Sequence, residues 1–179
     1  GSSGFVGSWL SVALHEMGAS LYGISLEPNT SPSLFKLLNL ENKINQKYID
    51  ICKFNKLNSA IKEISPDIVF HLAAQPLVRE SYEKTIETFN TNVIGTLNVL
   101  ESCKNLDTNV NFICITTDKC YENNEFGERF VESDPMGGKD PYSASKACTE
   151  ILTKSHALSF NSLKLCTARA GNIIGGGDW

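Results

Sequence analysis

No apolar run in the 179 residues approaches the ~20 that a membrane span requires, and no basic-then-apolar leader opens the chain. Positive charge is scarce: 16 Lys and Arg stand against 20 Asp and Glu, a net charge of −4 at pH 7. That balance leaves no basic footprint, so neither nucleic acid nor an anionic membrane is expected as a partner. The six cysteines (Cys52, Cys103, Cys114, Cys120, Cys148 and Cys166) include no Cys-x-x-Cys pair, and His15, His71 and His156 are scattered. No metal site is expected. The cysteines read as reduced thiols of a cytoplasmic protein, with Cys114 and Cys166 acting as small hydrophobes in strands. Repeats, low-complexity tracts and an internal linker are also missing, which predicts one domain over residues 1–179.

What is present is an alternation of helical and strand patterns. An apolar share of 41% and a charged share of 20% are those of a water-soluble globular chain. Gly1 to Gly7 is a glycine-rich turn feeding a helix in which Val6, Leu10, Ala13, Leu14 and Met17 share a face, and Gly18 reads as its C-terminal stop. Strands are predicted over 21–26, 48–51, 67–74, 110–116 and 163–169. Helices are predicted over 34–40, 57–64 (ended by Pro66), 85–103 and 142–159. Residues 27–33 and 123–140 read as loops. The run from Asp67 to Ala74 is almost continuously apolar, the mark of a strand buried on both faces. This alternation implies an α/β fold, a Rossmann-like doubly wound parallel sheet with helices on both faces. A glycine-rich turn of this kind ordinarily follows a strand, so the expected fold is a fragment lacking the first strand, with an unpaired slot in its sheet.

The residues with most chemistry are Thr117-Asp118-Lys119 and Tyr142-Ser143-Ala144-Ser145-Lys146. Tyr142 and Lys146 share one helix face, where an ammonium favours a phenolate that otherwise forms only near pH ~10. Thr117 adds a hydroxyl at the end of an apolar strand, and Asp118 and Lys119 add an acid–amine pair. These five are the candidate catalytic residues of a site able to move protons and a hydride. Lowering a tyrosine pKa by ~3 units requires ~4 kcal/mol, which Lys146 and a positive nicotinamide ring are expected to supply.

The Gly1/Gly4/Gly7 spacing, with Phe5 and Val6 inside it, suits a dinucleotide pyrophosphate, because glycines let backbone N–H groups and the helix start come close. Gly-Ser-Ser-Gly also reads as the remnant of an expression tag, although Phe5-Val6-Gly7 continues the pattern into an amphipathic helix. Glu27, 20 residues beyond Gly7, is placed to accept hydrogen bonds from an adenosine ribose diol, favouring NAD over NADP; a solvated turn acid is the alternative. Asp50 and Ile51 stand where adenine would lie, or mark a plain strand end. Leu72-Ala73-Ala74-Gln75 ends a strand with small residues, suited to close cofactor approach or simply to packing. Asn92, inside a helix, braces the neighbouring strand ends or is a tolerated surface residue. Thr116 joins the cofactor-facing set beside Thr117.

At these residues the chain resembles an extended short-chain dehydrogenase/reductase of the NAD-dependent epimerase/dehydratase family, and within it the CDP-glucose 4,6-dehydratase branch. The matching segments are Gly4 to Leu10, Ala73 to Arg79, Thr117-Asp118-Lys119-Cys120-Tyr121, Met136-Gly137-Gly138 running into Asp140-Pro141-Tyr142-Ser143, and Arg169-Ala170-Gly171-Asn172 through Gly175-Gly176-Gly177-Asp178-Trp179. The resemblance covers essentially the whole chain. Related dTDP-glucose dehydratases carry Asp-Glu where this chain has Asp118-Lys119, and sugar epimerases lack such a pair. The resemblance implies NAD as cofactor, CDP-glucose or a related sugar nucleotide as substrate, a homodimer, and a C-terminal sugar-nucleotide lobe outside these residues. The implied reaction gives CDP-4-keto-6-deoxyglucose with NAD recycled in the site. Tyr142, helped by Thr117 and Lys146, takes the C4 hydroxyl proton; Lys119 acts at C5 and Asp118 at the C6 leaving group. Arg169 and Asn172 resemble substrate contacts and Arg79 is placed to meet the sugar nucleotide; a structural Arg169 and a surface Arg79 are the alternatives.

That assignment has a cost. An amine base beside a carboxylic acid is the neutral tautomer of an ion pair, ~6.5 pKa units or ~9 kcal/mol uphill in water. Either the pair is strongly desolvated, with Lys146 disfavouring a second ammonium, or Lys119 stabilises an enolate; the first is the expectation. Competing readings are a UDP-sugar 4-epimerase or another NAD-dependent oxidoreductase of this fold, and an inactive NAD-binding fragment.

Overall fold

The computed structural model describes residues 1–122, 127, 129–160 and 162–178. Positions 123–126 and 128 of the expected loop, and Trp179 of the final motif, lie outside the described residues. Helix α1 (Phe5–Glu16) leads to β1 (Tyr22–Ser25), α2 (Leu34–Leu37), a 3-10 turn (Leu40–Asn42), β2 (Asn45–Tyr48), α3 (Phe54–Ile64) and β3 (Ile68–His71). Helices α4 (Val78–Glu83) and α5 (Thr85–Phe89), a π-helical turn (Asn90–Gly95) and α6 (Thr96–Lys104) follow. The chain continues through β4 (Val110–Thr117), a 3-10 turn (Asp118–Cys120), α7 (Pro141–Ser159) and β5 (Leu163–Ala170).

Among the described residues the strands pair in parallel, in a two-stranded sheet β1-β2 and a three-stranded sheet β3-β4-β5, and one isolated antiparallel bridge joins Tyr121 to Met136. Register places Thr117 beside Ala170 at the end of the β4/β5 ladder. Gly1 joins the C-terminal ends of the two sheets: its ammonium donates to Ile24 O, and a Cβ added to it would lie 2.6 Å from Ala73 N. Between β1 and β3 is a cleft of about 570 Å³, lined by Leu10, Leu14, Ile24, Leu57, Ile61 and Phe70 among others. The largest buried cluster lies between α3, α6 and the second sheet, with Leu57, Ile61, Val99, Leu100, Phe112 and Cys114 at its centre. Burial of this kind contributes roughly 1.5–3 kcal/mol per large side chain.

The expected α/β arrangement is present, with several local differences. Helix α1 ends where Gly18 adopts φ +82°, the left-handed turn the sequence suggests. The second strand is Asn45–Tyr48 rather than 48–51, because β1 pairs with that polar stretch, from Tyr22↔Asn45 to Ser25↔Tyr48. Ile51 then drops into the core. The strand expected over 67–74 is only Ile68–His71, and Ile68 is half exposed, because β3 has a strand neighbour on one edge and the cleft on the other. The helix expected over 85–103 is preceded by α4 and interrupted by the π turn, where Gly95 leaves room for the Ile51 side chain. All six cysteines are free; Cys114 is buried as expected, but Cys166 is exposed on the edge strand β5. Among the described residues, no helix is long and apolar enough to cross a membrane, and no His/Cys/Asp/Glu group could hold a metal ion.

Candidate active site

The glycine-rich turn sits at the C-terminal edge of both sheets and is held there by serine side chains. Ser2 Oγ donates to Gln46 Oε1 at 2.8 Å and Ser3 Oγ to Leu26 O at 2.8 Å. A Cβ on Gly7 would overlap Gly1 O and lie 2.9 Å from Ser2 Cα, so the helix start and the turn touch backbone to backbone. A Cβ on Gly4 would meet nothing nearer than Gly1 O at 3.6 Å, which leaves the outer side of the turn open. No side chain caps α1 and its first turn holds no acid. Its first amides and the positive end of the helix dipole therefore face that opening, a ready seat for phosphate. Glu27 is exposed two residues beyond β1, next to the Leu26 carbonyl that Ser3 grips. The donor set matches what a dinucleotide requires.

The reactive end lies where β4 stops. Thr117 turns the chain into the 3-10 turn, its Oγ1 accepting from Lys119 N at 3.3 Å. Pro141 opens α7, and Asp140 caps it, so Tyr142 and Lys146 fall on the buried face. Thr117 Oγ1 donates to Asp118 Oδ1 at 3.1 Å. Burial pushes Tyr142 above its ordinary value, and the Thr117 hydroxyl opposes this without prevailing. The lowered phenol anticipated from Lys146 is thus not a property of the protein groups alone. Burial also pushes the Lys146 ammonium down, against the nearby Cys114 and Glu150; Nζ donates to Ile115 O at 3.4 Å. Asp118 and Lys119 form an ion pair at 3.7 Å with both side chains nearly half exposed. The strong desolvation expected of that pair is not provided by the described residues.

Behind these groups is a polar core. Asn92 Oδ1 accepts from Gln75 N at 2.8 Å, and its Nδ2 donates to Gln75 O at 3.1 Å and Ser145 Oγ at 2.8 Å. The π turn also frees Asn92 O to accept from Thr96 Oγ1 at 2.6 Å and Thr149 Oγ1 at 2.9 Å. Since the Thr96 proton goes to Asn92 O, His71 Nε2 is the donor in its 2.8 Å contact with Thr96. Burial, with the Lys146 charge, pushes His71 down to about 3, so the ring is neutral.

The structure brings Thr117, Asp118, Lys119, Tyr142 and Lys146 together between β4 and α7, and Gly1, Gly4, Phe5, Val6, Gly7, Leu72 and Ala73 at the sheet ends. Ala74 follows, half-buried. Several other expected contacts are committed elsewhere. Asn92 and Gln75 brace one another, Gln75 also binding Thr88 Oγ1 at 2.9 Å and the Leu77 backbone. Thr116 Oγ1 donates to Glu150, and Ile51 packs in the core. Asp50 Oδ1 accepts from Cys52 N at 2.8 Å. Arg169, expected at the substrate, bonds Glu150 Oε2 at 3.0 Å and the Tyr121 hydroxyl at 2.9 Å. Arg79 is exposed on the first turn of α4 and Asn172 is exposed just past β5. Glu150 and Tyr121 are the residues that sequence reasoning passed over. Glu150 was within reach: it stands four residues beyond Lys146, eight beyond Tyr142, on their helix face.

The profile of the family described as GDP-mannose 4,6 dehydratase matches residues 1–176. A CDP-glucose 4,6-dehydratase of Salmonella typhimurium is 47% identical over 187 residues, covering 100% of this chain and 52% of that protein. A human dTDP-D-glucose 4,6-dehydratase is 32% identical over 178 residues, covering 98% of this chain and 50% of that protein. A UDP-glucose 4-epimerase of Thermus thermophilus, solved in complex with NAD, superposes with a TM-score of 0.83 at 28% identity, over 94% of this chain and 52% of that one. The chain spans about half the length of the curated relatives it matches.

Proposed function

The chain belongs to the GDP-mannose 4,6 dehydratase family, and from that premise we propose that it carries the NAD-binding and proton-transfer residues of a nucleotide-sugar 4,6-dehydratase, with CDP-glucose as substrate. The observation that carries this reading is the Thr117-Asp118-Lys119 turn set against Tyr142 and Lys146 of α7. It places an acid, an amine, a hydroxyl and a phenol at one strand end, as removal of a proton, a hydride and a water from one sugar requires.

The first-turn amides of α1 hold a pyrophosphate, Gly4 admits it, and Glu27 accepts from a ribose diol, which favours NAD over NADP. When bound, NAD would supply a positively charged ring able to accept a hydride from C4 and give it back at C6. Tyr142 acts as the phenolate, an anion that the Thr117 hydroxyl and the Lys146 charge stabilise, and becomes the neutral phenol as it accepts the C4 hydroxyl proton. Once C4 is a ketone, the C5 hydrogen is acidic and the C6 hydroxyl leaves as water. Lys119 receives the C5 proton and Asp118 gives one to the departing hydroxyl; when hydride reaches C6, Lys119 returns a proton to C5. The half-exposed ion pair means that sugar covering the turn must supply the desolvation that favours the neutral tautomer. Asn172, and Arg79 at the mouth of α4, lie toward the sugar nucleotide. Pairing of two copies through the exposed apolar residues Tyr82, Ile86, Ile151 and Leu158 of α4, α5 and α7 belongs to the same reading.

The test is incubation of the catalytically competent enzyme with CDP-glucose and trace NAD in deuterated water. A 4-keto-6-deoxy product carrying deuterium at C5, with no accumulated NADH, is expected; intact CDP-glucose or a C4 epimer sinks the reading. Lys119→Met should abolish C5 exchange, and full exchange in that variant would remove Lys119 as the base. The second reading, a sugar-nucleotide 4-epimerase, has in its favour the 28% identical epimerase structure with NAD; it predicts epimer and no C5 label.

A further inference from the structure

The carboxylate of Glu150 does something that neither the hydride chemistry nor cofactor binding needs. It accepts from Thr116 Oγ1, from Thr167 Oγ1 at 2.9 Å and from Arg169 Nη2 at 3.0 Å. Glu150 is 4% exposed and the Arg169 side chain 15%. Burial opposes the charge of Glu150, yet the Arg169, Thr116 and Thr167 bonds outweigh it and hold the carboxyl below its ordinary value. Arg169 carries the connection onward: Nη1 donates to the Tyr121 hydroxyl at 2.9 Å and to Glu132 O at 3.0 Å, and the guanidinium lies 4.9 Å from the Tyr121 ring centroid. The opposite partner of that ring is Phe130, stacked at 4.6 Å and 9°.

Three branches of this cluster, through Thr116, Tyr121 and Arg169, end on flanks of the Thr117–Lys119 turn. Thr116 immediately precedes it. Tyr121 follows it, and its amide donates to Asp118 O at 3.1 Å. Arg169 precedes Ala170, which is in register with Thr117. The chain around Met136, bridged to Tyr121, is joined too: Gly137 N donates to Cys120 O at 2.8 Å and Glu122 N to Pro135 O at 2.9 Å. Glu150 itself stands one helical turn beyond Lys146 on the face that presents Tyr142. A rigid helix therefore carries the phenol, the ammonium and this anchor at fixed spacing, and the anchor grips both sides of the turn that bears Asp118 and Lys119.

We propose that Glu150 and Arg169 are positioning residues, a buried ion pair that sets the height and orientation of the Asp118-Lys119 turn against Tyr142, and that Arg169 acts through Tyr121 and not on the sugar nucleotide. A buried ion pair is a weak source of net stability, since desolvation of both charges offsets most of the attraction; fixing one geometry is its better-supported use. The nearly half-exposed Asp118 and Lys119 side chains are held within the turn by one hydrogen bond, Thr117 Oγ1 to Asp118 Oδ1 at 3.1 Å, and by their mutual contact at 3.7 Å. A proton-transfer pair displaced by about 1 Å loses rate on the order of 100-fold.

Glu150→Gln tests this, because its one amide oxygen can still accept from Thr116 in the place of Oε1, while an NH2 group replaces the Oε2 that accepts from Thr167 and Arg169 and the charge that holds Arg169 is gone. Amide hydrogen exchange of this chain needs no substrate. Exchange at Tyr121 and Gly137 is expected to rise about tenfold or more while Phe112 and Cys114 in the strand core hold their protection. Unchanged exchange at Tyr121 and Gly137 overturns the proposal. Should Glu150→Gln fail to fold, Tyr121→Phe decides, since it keeps the ring stack and loses only the hydroxyl: faster exchange confined to Gly137 and Tyr121 supports the proposal, and none defeats it. The kinetic arm rests on the dehydratase reading. In the competent enzyme, Glu150→Gln and Arg169→Lys should lower kcat roughly 10- to 100-fold with KM for the sugar nucleotide within about twofold. A raised KM with kcat preserved would return Arg169 to the substrate and overturn the proposal. Expected exchange in a protein with no dehydratase activity would refute the dehydratase reading and support the anchor.

Discussion

Helix α1 begins at Gly4 with no side chain capping its first amides, whereas α7 begins at Asp140, whose carboxylate accepts from Ser143 N at 2.9 Å and Ser143 Oγ at 2.6 Å. Both starts sit at the edge where the parallel strands end. The difference extends to their surroundings. At the start of α1 the closest contacts are backbone contacts between glycines, with the turn held from outside by Ser2 and Ser3, and the neighbouring cleft is largely apolar. Around α7 they are side-chain bonds among buried polar groups, from Asn92 and Thr149 to Glu150 and Arg169. An open terminus with a bare backbone is suited to an incoming anion, while a capped terminus with satisfied side chains is suited to holding reacting groups still. One half of the molecule leaves donors unspent, and the other uses nearly all of them internally.

The largest effect that should expose this contrast comes from acid. His71 is neutral in the fold, its pKa pushed from 6.5 to about 3 by burial and by the Lys146 charge. Unfolded chain takes up that proton below pH 6.5 and folded chain does not. The stability is therefore whole above 6.5 and drains away as pH falls toward 3, by about 5 kcal/mol in all. His156, pushed down by burial, adds in the same direction. Urea midpoints measured from pH 7.5 to 4.5 should fall steadily, and His71→Gln should remove about one proton from the slope. A flat wild-type profile would mean that the polar half is not built on a neutral histidine.

The α1 half should break by bulk instead of by charge. Gly7→Ala puts a Cβ into Gly1 O, a backbone atom with no freedom to step aside. Overpacking of this kind costs about 1–3 kcal/mol. Titration with NAD should show binding weakened about tenfold or more, because the turn that faces the pyrophosphate must move. Unaltered affinity would separate the glycine turn from dinucleotide binding.

The same contrast explains what was legible in the chain before its structure. The α1 turn, Gly18, the Pro66 stop and the Tyr142/Lys146 spacing are local signals, each fixed by the conformation of a few neighbouring residues, and all appear where expected. Strand β2 was misplaced because Asn45–Tyr48 is polar; its pairing with β1 decides the strand, and no periodicity announces it. The π turn at Asn90–Gly95 depends on contacts from β3 and α7, and on Ile51 filling the space at Gly95. Arg169 stayed open between a substrate contact and a structural role because its partner Glu150 is 19 residues away on another element. Side chains that bond across elements are the ones a linear reading misassigns.

The smallest predicted effects are the sharpest, because they exchange the two helix starts. Asp140→Ala removes the cap of α7 and should cost about 1 kcal/mol, read as a lower urea midpoint with dinucleotide affinity unchanged. Gly4→Asp does the reverse. Gly4 has φ −78° and ψ 172°, extended backbone that any residue adopts, and its Cβ position is unobstructed. An aspartate there should cap α1 and raise stability by a few tenths of a kcal/mol, since replacing glycine at this position gains little. Its carboxylate would also occupy the donors and repel a phosphate, so affinity for NAD should collapse while the fold becomes firmer. If the firmer variant still bound NAD as the parent does, the pyrophosphate would have to lie somewhere other than the uncapped end of α1.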